Sequence, residues 1–385
     1  MHRVYLDHTA TTPLDPRVFE AMRPYFLEKF GNPSSIHRFG QEARAALDES
    51  RLALARMIGA REGELFFMSS GTESDNFAIK GIARAMRKRG KTHIVTSRIE
   101  HHAVLESCEH LEGEGFSVTY VRPDAHGMVH PDDVRQAILP GTGLVSIMHA
   151  NNEVGTINPI KEIAAVAHEQ GALMHSDAVQ TFGRLPIDVN ELGVDLLSAT
   201  AHKIYGPKGI GALYVRRGIE IEKMLHGGGQ ERGKRASTEA VPLAVGFAKA
   251  AELVAGDRDS ENARLRSLTS RLRSAIRERF PFVVFNGHPT DSLPHIVNVS
   301  FDGSKIDIAG DELILNLDLA GIAVTSGSAC TSGSMKPSHV LLAMGRDEKT
   351  AQATIRFSMG RGTTQEEIDY AVDVLTKIVQ KLARS

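Results

Sequence analysis

Between residues 60 and 215 short apolar runs alternate with longer stretches of helical period. The runs fall at 64–68, 93–96, 117–121, 144–149, 172–176, 196–199 and 211–215, and helical patterning fills intervals such as 77–89 and 160–170. Strands that alternate with helices predict an α/β layered domain on a mostly parallel sheet. Ligands in such folds bind beyond the carboxyl ends of the strands, so the loops that follow these runs are where chemistry is expected. After Gly256 the texture changes. Residues 257–279 are charged and helical, strand-like runs follow near 282–285 and 295–301, and helices are expected near 307–319 and over 365–382. This pattern predicts a smaller α+β domain, joined by the first dozen or so residues. The expected division is 15–256 for the large domain, and 1–14 with 257–385 for the small one. No internal repeat or low-complexity tract interrupts it.

Composition narrows the class. With 42% hydrophobic residues the chain of 385 can bury a sizeable core, which excludes disorder as its dominant state. The 45 Lys+Arg against 47 Asp+Glu leave a net charge of −2, which argues against a strongly basic nucleic-acid binder. No apolar run is long enough to predict a membrane span, and no signal peptide is expected at Met1-His2-Arg3-Val4-Tyr5. Cys108 and Cys330 are far apart and outside any C-x-x-C pattern. Two such residues make neither a disulfide framework nor a cysteine-based metal site, so no metal is expected and a reducing, cytoplasmic setting is. Each is either a buried small residue or a reactive thiol. For Cys108, in helical-looking sequence, burial is the expected state.

Three segments carry candidate chemistry. Ser69-Ser70-Gly71-Thr72-Glu73-Ser74-Asp75-Asn76 follows the first run and precedes a helix. Glycine and hydroxyls at a strand-to-helix turn suit an anion, because free N–H groups and the helix dipole face it. The same residues also read as a plain capped helix, with Thr72 as N-cap and Asp75 three on. Asp177 lies just past the run 172–176, where a lone Asp is more often a turn residue. Lys203, in Thr200-Ala201-His202-Lys203-Ile204-Tyr205-Gly206, follows another run. Alone it would be a solvated lysine. A Schiff-base lysine, an acidic partner for a pyridine nitrogen and a phosphate cup are together what pyridoxal phosphate needs, and Lys203, Asp177 and Gly71-Thr72 supply one of each.

Longer motifs carry a resemblance nearly end to end. They include Tyr5-Leu6-Asp7-His8-Thr9-Ala10-Thr11-Thr12-Pro13, Gly31-Asn32-Pro33-Ser34-Ser35, Glu100-His101-His102-Ala103 and Asn151-Asn152-Glu153-Val154-Gly155. They continue through Ala201-His202-Lys203, Gly227-Gly228-Gly229-Gln230-Glu231-Arg232-Gly233, Ser326-Gly327-Ser328-Ala329-Cys330-Thr331-Ser332 and Arg356-Phe357-Ser358. The chain resembles the NifS/IscS-type cysteine desulfurases, class V members of the fold-type I pyridoxal phosphate enzymes. The resemblance implies a seven-stranded, mostly parallel sheet between helices in the large domain, and a small domain that carries a catalytic cysteine loop.

The residue roles that follow are those the resemblance implies. Lys203 would form the Schiff base and move the substrate α-proton, Asp177 would hold the pyridinium proton, and His101 would stack on the ring. Gln180 would bond the phenolic oxygen, while Gly71, Thr72, Thr200 and His202 would hold the phosphate, with Thr238 reaching in from a second subunit of a homodimer. Arg356 would clamp the carboxylate of L-cysteine, assisted by Asn152. The Cys330 thiolate would take the substrate sulfur as a persulfide, release alanine, and carry the sulfur to an acceptor protein such as an iron–sulfur scaffold or a thiolation partner. Its Gly- and Ser-rich setting over 326–334 predicts a mobile loop, of the long form rather than the short form of selenocysteine lyase-like enzymes.

Some positions depart from the family pattern. His8-Thr9 replaces the frequent Asn or Tyr followed by Ala, and Ser70-Gly71 replaces Gly-Ala. Ala236-Ser237 stands where a pair ending in Gly is usual, which bears on the turn that delivers Thr238. Two alternatives stand beside the desulfurase: another class V enzyme, such as an aminotransferase or selenocysteine lyase-like enzyme, and a non-catalytic scaffold of the same fold. Cys330 argues against a transaminase, and the intact set of Lys203, Asp177, His101 and Arg356 argues against a scaffold.

Overall fold

The computed structural model describes residues 3–327 and 336–382, so Cys330 lies outside the described residues. In chain order the strands are β1 (Val4–Tyr5), β2 (Leu65–Met68), β3 (His93–Ser97), β4 (Ser117–Val121), β5 (Thr142–Ser146), β6 (Leu173–Asp177), β7 (Leu196–Thr200), β8 (Gly211–Val215), β9 (Val283–Asn286), β10 (Ile296–Phe301), β11 (Ile322–Ala323) and β12 (Thr354–Ser358). Seven of them form the main sheet in the order β2-β8-β7-β6-β5-β3-β4. β8 is antiparallel to both neighbours, and the remaining pairs are parallel.

Both faces of this sheet are covered, which is why its strands read as continuous apolar runs. Alternate residues of a strand serve opposite layers. Val95, Val145, Leu197 and Ala212 join one core, while Ile94, Leu144, Leu196 and Leu213 join the other, against the helices Gly71–Arg87 and His102–Gly113. Cys108 lies in this second layer, fully buried, and burial pushes its thiol up to about 12. It is a packing residue. The run expected at 144–149 leaves the ladder after Ser146, yet the Ile147 and His149 amides still donate to the carbonyls of His175 (3.1 Å) and Asp177 (2.9 Å).

A separate core forms around the antiparallel sheet β12-β10-β9 and the helix Gln365–Leu382. Val4 and Leu6 enter it, because β1 pairs in parallel with β11. The expected division at residue 256 falls inside one helix, Val241–Arg279. Its first half, through Val241, Phe247 and Ala251, packs in the first core. Its second half, through Leu265, Leu272 and Ile276, packs in the other, so a single rigid rod connects the two. Val340, Leu341 and Met344, from beyond Cys330 in the chain, also return to the first core.

The N-terminus of the helix Gly71–Arg87 corrects the sequence expectation. The cap is Ser70, whose Oγ accepts from the Glu73 amide (3.1 Å). Thr72 is therefore inside the first turn, and Asp75 is a buried residue rather than a capping partner. The strand that leads into this turn, β2, is fastened by a buried ion pair. Arg51 and Glu231 meet at 2.6 Å with side chains 4% and 2% exposed. Arg51 also donates to the Leu65 carbonyl (3.0 Å), and Glu231 accepts from the Phe67 amide (2.9 Å).

Removing one partner leaves the other charge buried and unpaired. Arg51→Leu is expected to lower unfolding stability by about 3–5 kcal/mol, with Arg51→Leu/Glu231→Gln recovering part of that loss. Urea denaturation of the two variants beside the parent checks the order.

Candidate active site

The carboxyl ends of β6 and β7 lie side by side, with Asp177 paired to Ser198 in register. This brings Asp177, Thr200 and the turn 201–203 to one edge of the sheet, where the Ser69-Ser70-Gly71 turn and the N-terminal segment close a cavity of about 440 Å³. Lys203, Asp177, His101, Gly71, Thr72, Asn152, Gln180, Thr200, His202 and Arg356 all line it. Thr238 does not. It is exposed, at the edge of a separate cavity of about 150 Å³ beside Arg235. Cys330 lies outside the described residues.

The Lys203 amine donates to the carbonyl of Thr9 and to that of Ala10 (2.8 Å). Burial, and then the Arg356 charge, bring its pKa down to about 8, against the pull of Asp177 and Asp7. At pH 7 roughly a tenth of such an amine is neutral and nucleophilic, far more than for an ordinary lysine. Asp177 accepts from the Val179 amide (2.8 Å). Burial raises its carboxyl, and that bond and the Lys203 charge act against the rise.

His101 is the N-cap of the helix His102–Gly113, its Nδ1 accepting from the Ala103 amide (3.1 Å). The ring proton is thereby assigned to Nε2. Burial first, then the neighbouring Lys203, lower its pKa to about 4, so the ring at the cavity is a neutral imidazole. The same causes, burial and then Lys203, bring His202 to about 4.

Arg356 comes from β12 of the second core and is 4% exposed. Its Nη1 donates to the Asn152 carbonyl (3.0 Å) and its Nη2 to Asp7 Oδ1 (2.9 Å), while Nε has no partner. The expected two-pronged grip on a carboxylate thus shares its guanidinium with Asp7, which sequence reasoning passed over although it stands in a quoted motif. Glu100 was passed over in the same way, and Asp75 was read only as a capping partner. Both are buried carboxyls near Asp177. Burial, then the Asp177 charge, hold Asp75 well above the ordinary range, and burial brings Glu100 to about 8. Asp177 is itself raised, to about 6, below the value that burial gives Glu100, which favours it as the carboxyl that carries charge. A carboxyl that ends up buried beside another leaves no mark in sequence beyond its motif.

The residues fit pyridoxal phosphate on three observations. Gln180 donates from Nε2 to the Thr9 carbonyl (3.1 Å), while its buried Oε1 has no partner and can receive a hydrogen bond. Gly71 leaves an open cradle at the N-terminus of a helix, since a Cβ there would come within 2.7 Å of Val179 Cγ2. Lys203 and Asp177 supply the amine and the carboxylate such a group needs. Among the described residues no group of three or more His, Cys, Asp or Glu is placed to hold a metal.

A family model described as Aminotransferase class-V matches residues 4–371. The chain is 50% identical over 379 residues to a protein named cysteine desulfurase IscS of Dictyoglomus turgidum, covering 98% of this chain and 95% of that one. It is 50% identical over 379 residues to the cysteine desulfurase IscS of Methanosarcina thermophila, covering 98% and 92%. A solved NifS-like protein superposes with a TM-score of 0.92 at 39% identity, covering 99% of this chain and all of that one.

Two outcomes follow from the geometry. A neutral amine reacts and a protonated one does not, so acylation of Lys203 in cofactor-free protein is expected to rise with pH through a midpoint near 8, whereas an ordinary lysine has its midpoint at about 10.4. Arg356→Gln, which removes a lowering charge, moves that midpoint upward; mass spectrometry of the labelled peptide reads both. Ser237 sits at φ +138, a region costly for any side chain. Ser237→Gly is expected to stabilise the fold by about 1 kcal/mol, read by urea denaturation.

Proposed function

The chain belongs to the class V aminotransferase family and is a pyridoxal phosphate-dependent cysteine desulfurase, and for that activity we propose the following roles for its residues. The observation that carries them is the meeting of Lys203, Asp177, Gln180, His101 and Arg356 around one cavity, with amine, carboxylate, ring and guanidinium each held by its own hydrogen bonds. Gly71, Thr72, Thr200 and His202 hold the phosphate, Asp177 the pyridine nitrogen, Gln180 the phenolic oxygen and His101 the ring face. Pyridoxal phosphate, when bound, supplies a sink for the electrons released at the substrate α-carbon.

Arg356, with Asn152 beside it, orients the L-cysteine carboxylate, and the Asp7 contact keeps the guanidinium turned toward the cavity. Lys203, with its depressed pKa, accepts the α-proton and returns a proton at the end of the turnover. The Cys330 thiolate attacks the substrate sulfur. The Cβ–S bond breaks, an S–S bond forms, and the carbon skeleton leaves protonated as L-alanine. L-Cysteine and the Cys330 thiol become L-alanine and a Cys330 persulfide, which balances without another oxidant.

The finer assignments belong to the same proposal. The persulfide passes its sulfur to an acceptor protein such as an iron–sulfur scaffold or a thiolation partner, in the reducing cytoplasm. The chain acts as a homodimer in which Thr238 of one subunit reaches the phosphate of the other. This is supported by the exposure of Thr238 away from its own cavity, and of Phe30 and Ile36 at 67% and 92%. No helix among the described residues is long and apolar enough to cross a membrane.

Purified protein incubated with L-cysteine and a reductant is expected to release alanine and sulfide. Cys330→Ala should release neither, and Lys203→Ala should lose both activity and the yellow colour of the bound cofactor. Alanine formation by Cys330→Ala at the parental rate would remove Cys330 from the mechanism.

A further inference from the structure

The turn at 151–155 that places Asn152 also turns Glu153 inward. Asn151 Oδ1 accepts from the Glu153 amide (2.8 Å) and the Val154 amide (2.9 Å), and Asn298 donates to the Glu153 carbonyl (3.2 Å). The Glu153 side chain is buried, in a residue 3% exposed, and the roles proposed above make no use of it.

One oxygen of this carboxyl meets two separate pieces of chain. Ser338 Oγ donates to Oε2 and also accepts from the amides of Val340 (3.1 Å) and Leu341 (3.3 Å), capping the helix His339–Ala343. From the other side the backbone of Gly327 lies against the same oxygen. Its φ is +96, and a Cβ there would come within 2.7 Å of Oε2. Two residues earlier, Thr325 pairs through its backbone with Arg356. In the chain, residues 328–337 run from Gly327 to Ser338, and Cys330 is among them.

We propose that Glu153 is a positioning residue that holds Ser338 by a hydrogen bond and packs against Gly327, the described residues on either side of the stretch containing Cys330, and that sulfur transfer depends on this anchor. Through the same turn this anchor is tied to Arg356, which donates to the carbonyl of Asn152. Carboxylate grip and sulfur transfer thus share one rigid element. Burial holds the Glu153 carboxyl above its ordinary range, with the Ser338 bond and the Arg356 and His102 charges acting against this. Oε2 serves Ser338 as an acceptor, and Gln keeps an acceptor oxygen in the same place, which separates Gln from Ala at this position.

The kinetic half of the test rests on the desulfurase reading; the structural half does not. In the holoenzyme, Glu153→Ala is expected to speed amide hydrogen exchange both in peptides ending at Gly327 and in those covering Val340 and Leu341, with β3 and β7 unchanged. Ser338→Ala is expected to do so only on the later side, and Gly327→Ala only on the earlier. With L-cysteine as substrate, Glu153→Ala should lower kcat by about tenfold with KM nearly unchanged, and Glu153→Gln should restore it. Unaltered exchange at both ends, or equal losses in Glu153→Ala and Glu153→Gln, overturns the proposal. If Glu153→Ala does not fold, the two one-sided variants decide it in the same way. Should the parent make no alanine, the desulfurase reading fails, and the exchange pattern still decides whether Glu153 anchors both ends.

Discussion

The Lys203 amine gives its protons to the carbonyls of Thr9 and Ala10, and the site is organised around that contact. An amine that is taken out of water must find acceptors, and here they come from the far end of the chain. The same N-terminal segment is held along its length. Thr12 bonds the His202 carbonyl through both its amide (3.0 Å) and its hydroxyl (2.9 Å), Gln180 bonds Thr9, and the Asp15 amide bonds Tyr205. A few residues earlier, Val4 and Leu6 are buried in the second core, and Asp7 pairs with Arg356. The reactive lysine is therefore also the point where the two cores are laced together. The segment from Val4 to Ala10 thus serves the smaller core, through Val4 and Leu6, and the site, through Asp7, Thr9 and Ala10.

The electrostatics follow from burial more than from pairing. At the carboxyl edge of the sheet the protein withdraws from water an amine, three carboxyls and several imidazoles. Each responds by favouring its uncharged form. Lys203 falls to about 8, His101 and His202 fall to about 4, and Asp75 and Glu100 rise. Near neutral pH this leaves the imidazoles and Glu100 mostly uncharged, with Lys203 and Asp177 as the groups that still carry charge. Arg356 and Asp7 form an ion pair at 2.9 Å, so part of the guanidinium's hydrogen-bonding capacity is already used. An incoming phosphate or carboxylate meets helix amides and a guanidinium rather than a dense field of cations, and orientation comes from hydrogen-bond geometry.

The parts of this picture legible in the sequence are those that depend on local pattern. Runs at 117–121 and 211–215 coincide with β4 and β8, and the last helix spans the expected 365–382, because a fully buried strand such as β8 and an amphipathic helix write their periods directly into the chain. Residues whose roles rest on spacing within a motif, such as Lys203 and Asp177, were equally visible. The errors arise where a local signal had competitors. Thr72 was read as the cap of the helix, and only the path of the backbone out of β2 selects Ser70. The change of texture at Gly256 is real, yet it is a change of neighbour along one helix, from the first core to the second, and composition cannot distinguish that from a break.

By itself, then, the sequence determined the layered α/β class, the edge of the sheet where chemistry would sit, and the lysine and aspartate that meet there, while the histidine and arginine came from the family resemblance. Those depend on hydrophobic period and on motif spacing, both of which are properties of neighbouring residues. Only the tertiary structure decided which distant groups face them. Asp7 on Arg356, Asp75 and Glu100 near Asp177, the Thr9 and Ala10 carbonyls on Lys203, and Glu153 between Gly327 and Ser338 are pairings across long sequence separations. The physical reason is that desolvation acts on whatever the fold brings together, and a buried carboxyl or amine takes its protonation state from neighbours that the chain meets only after it has folded.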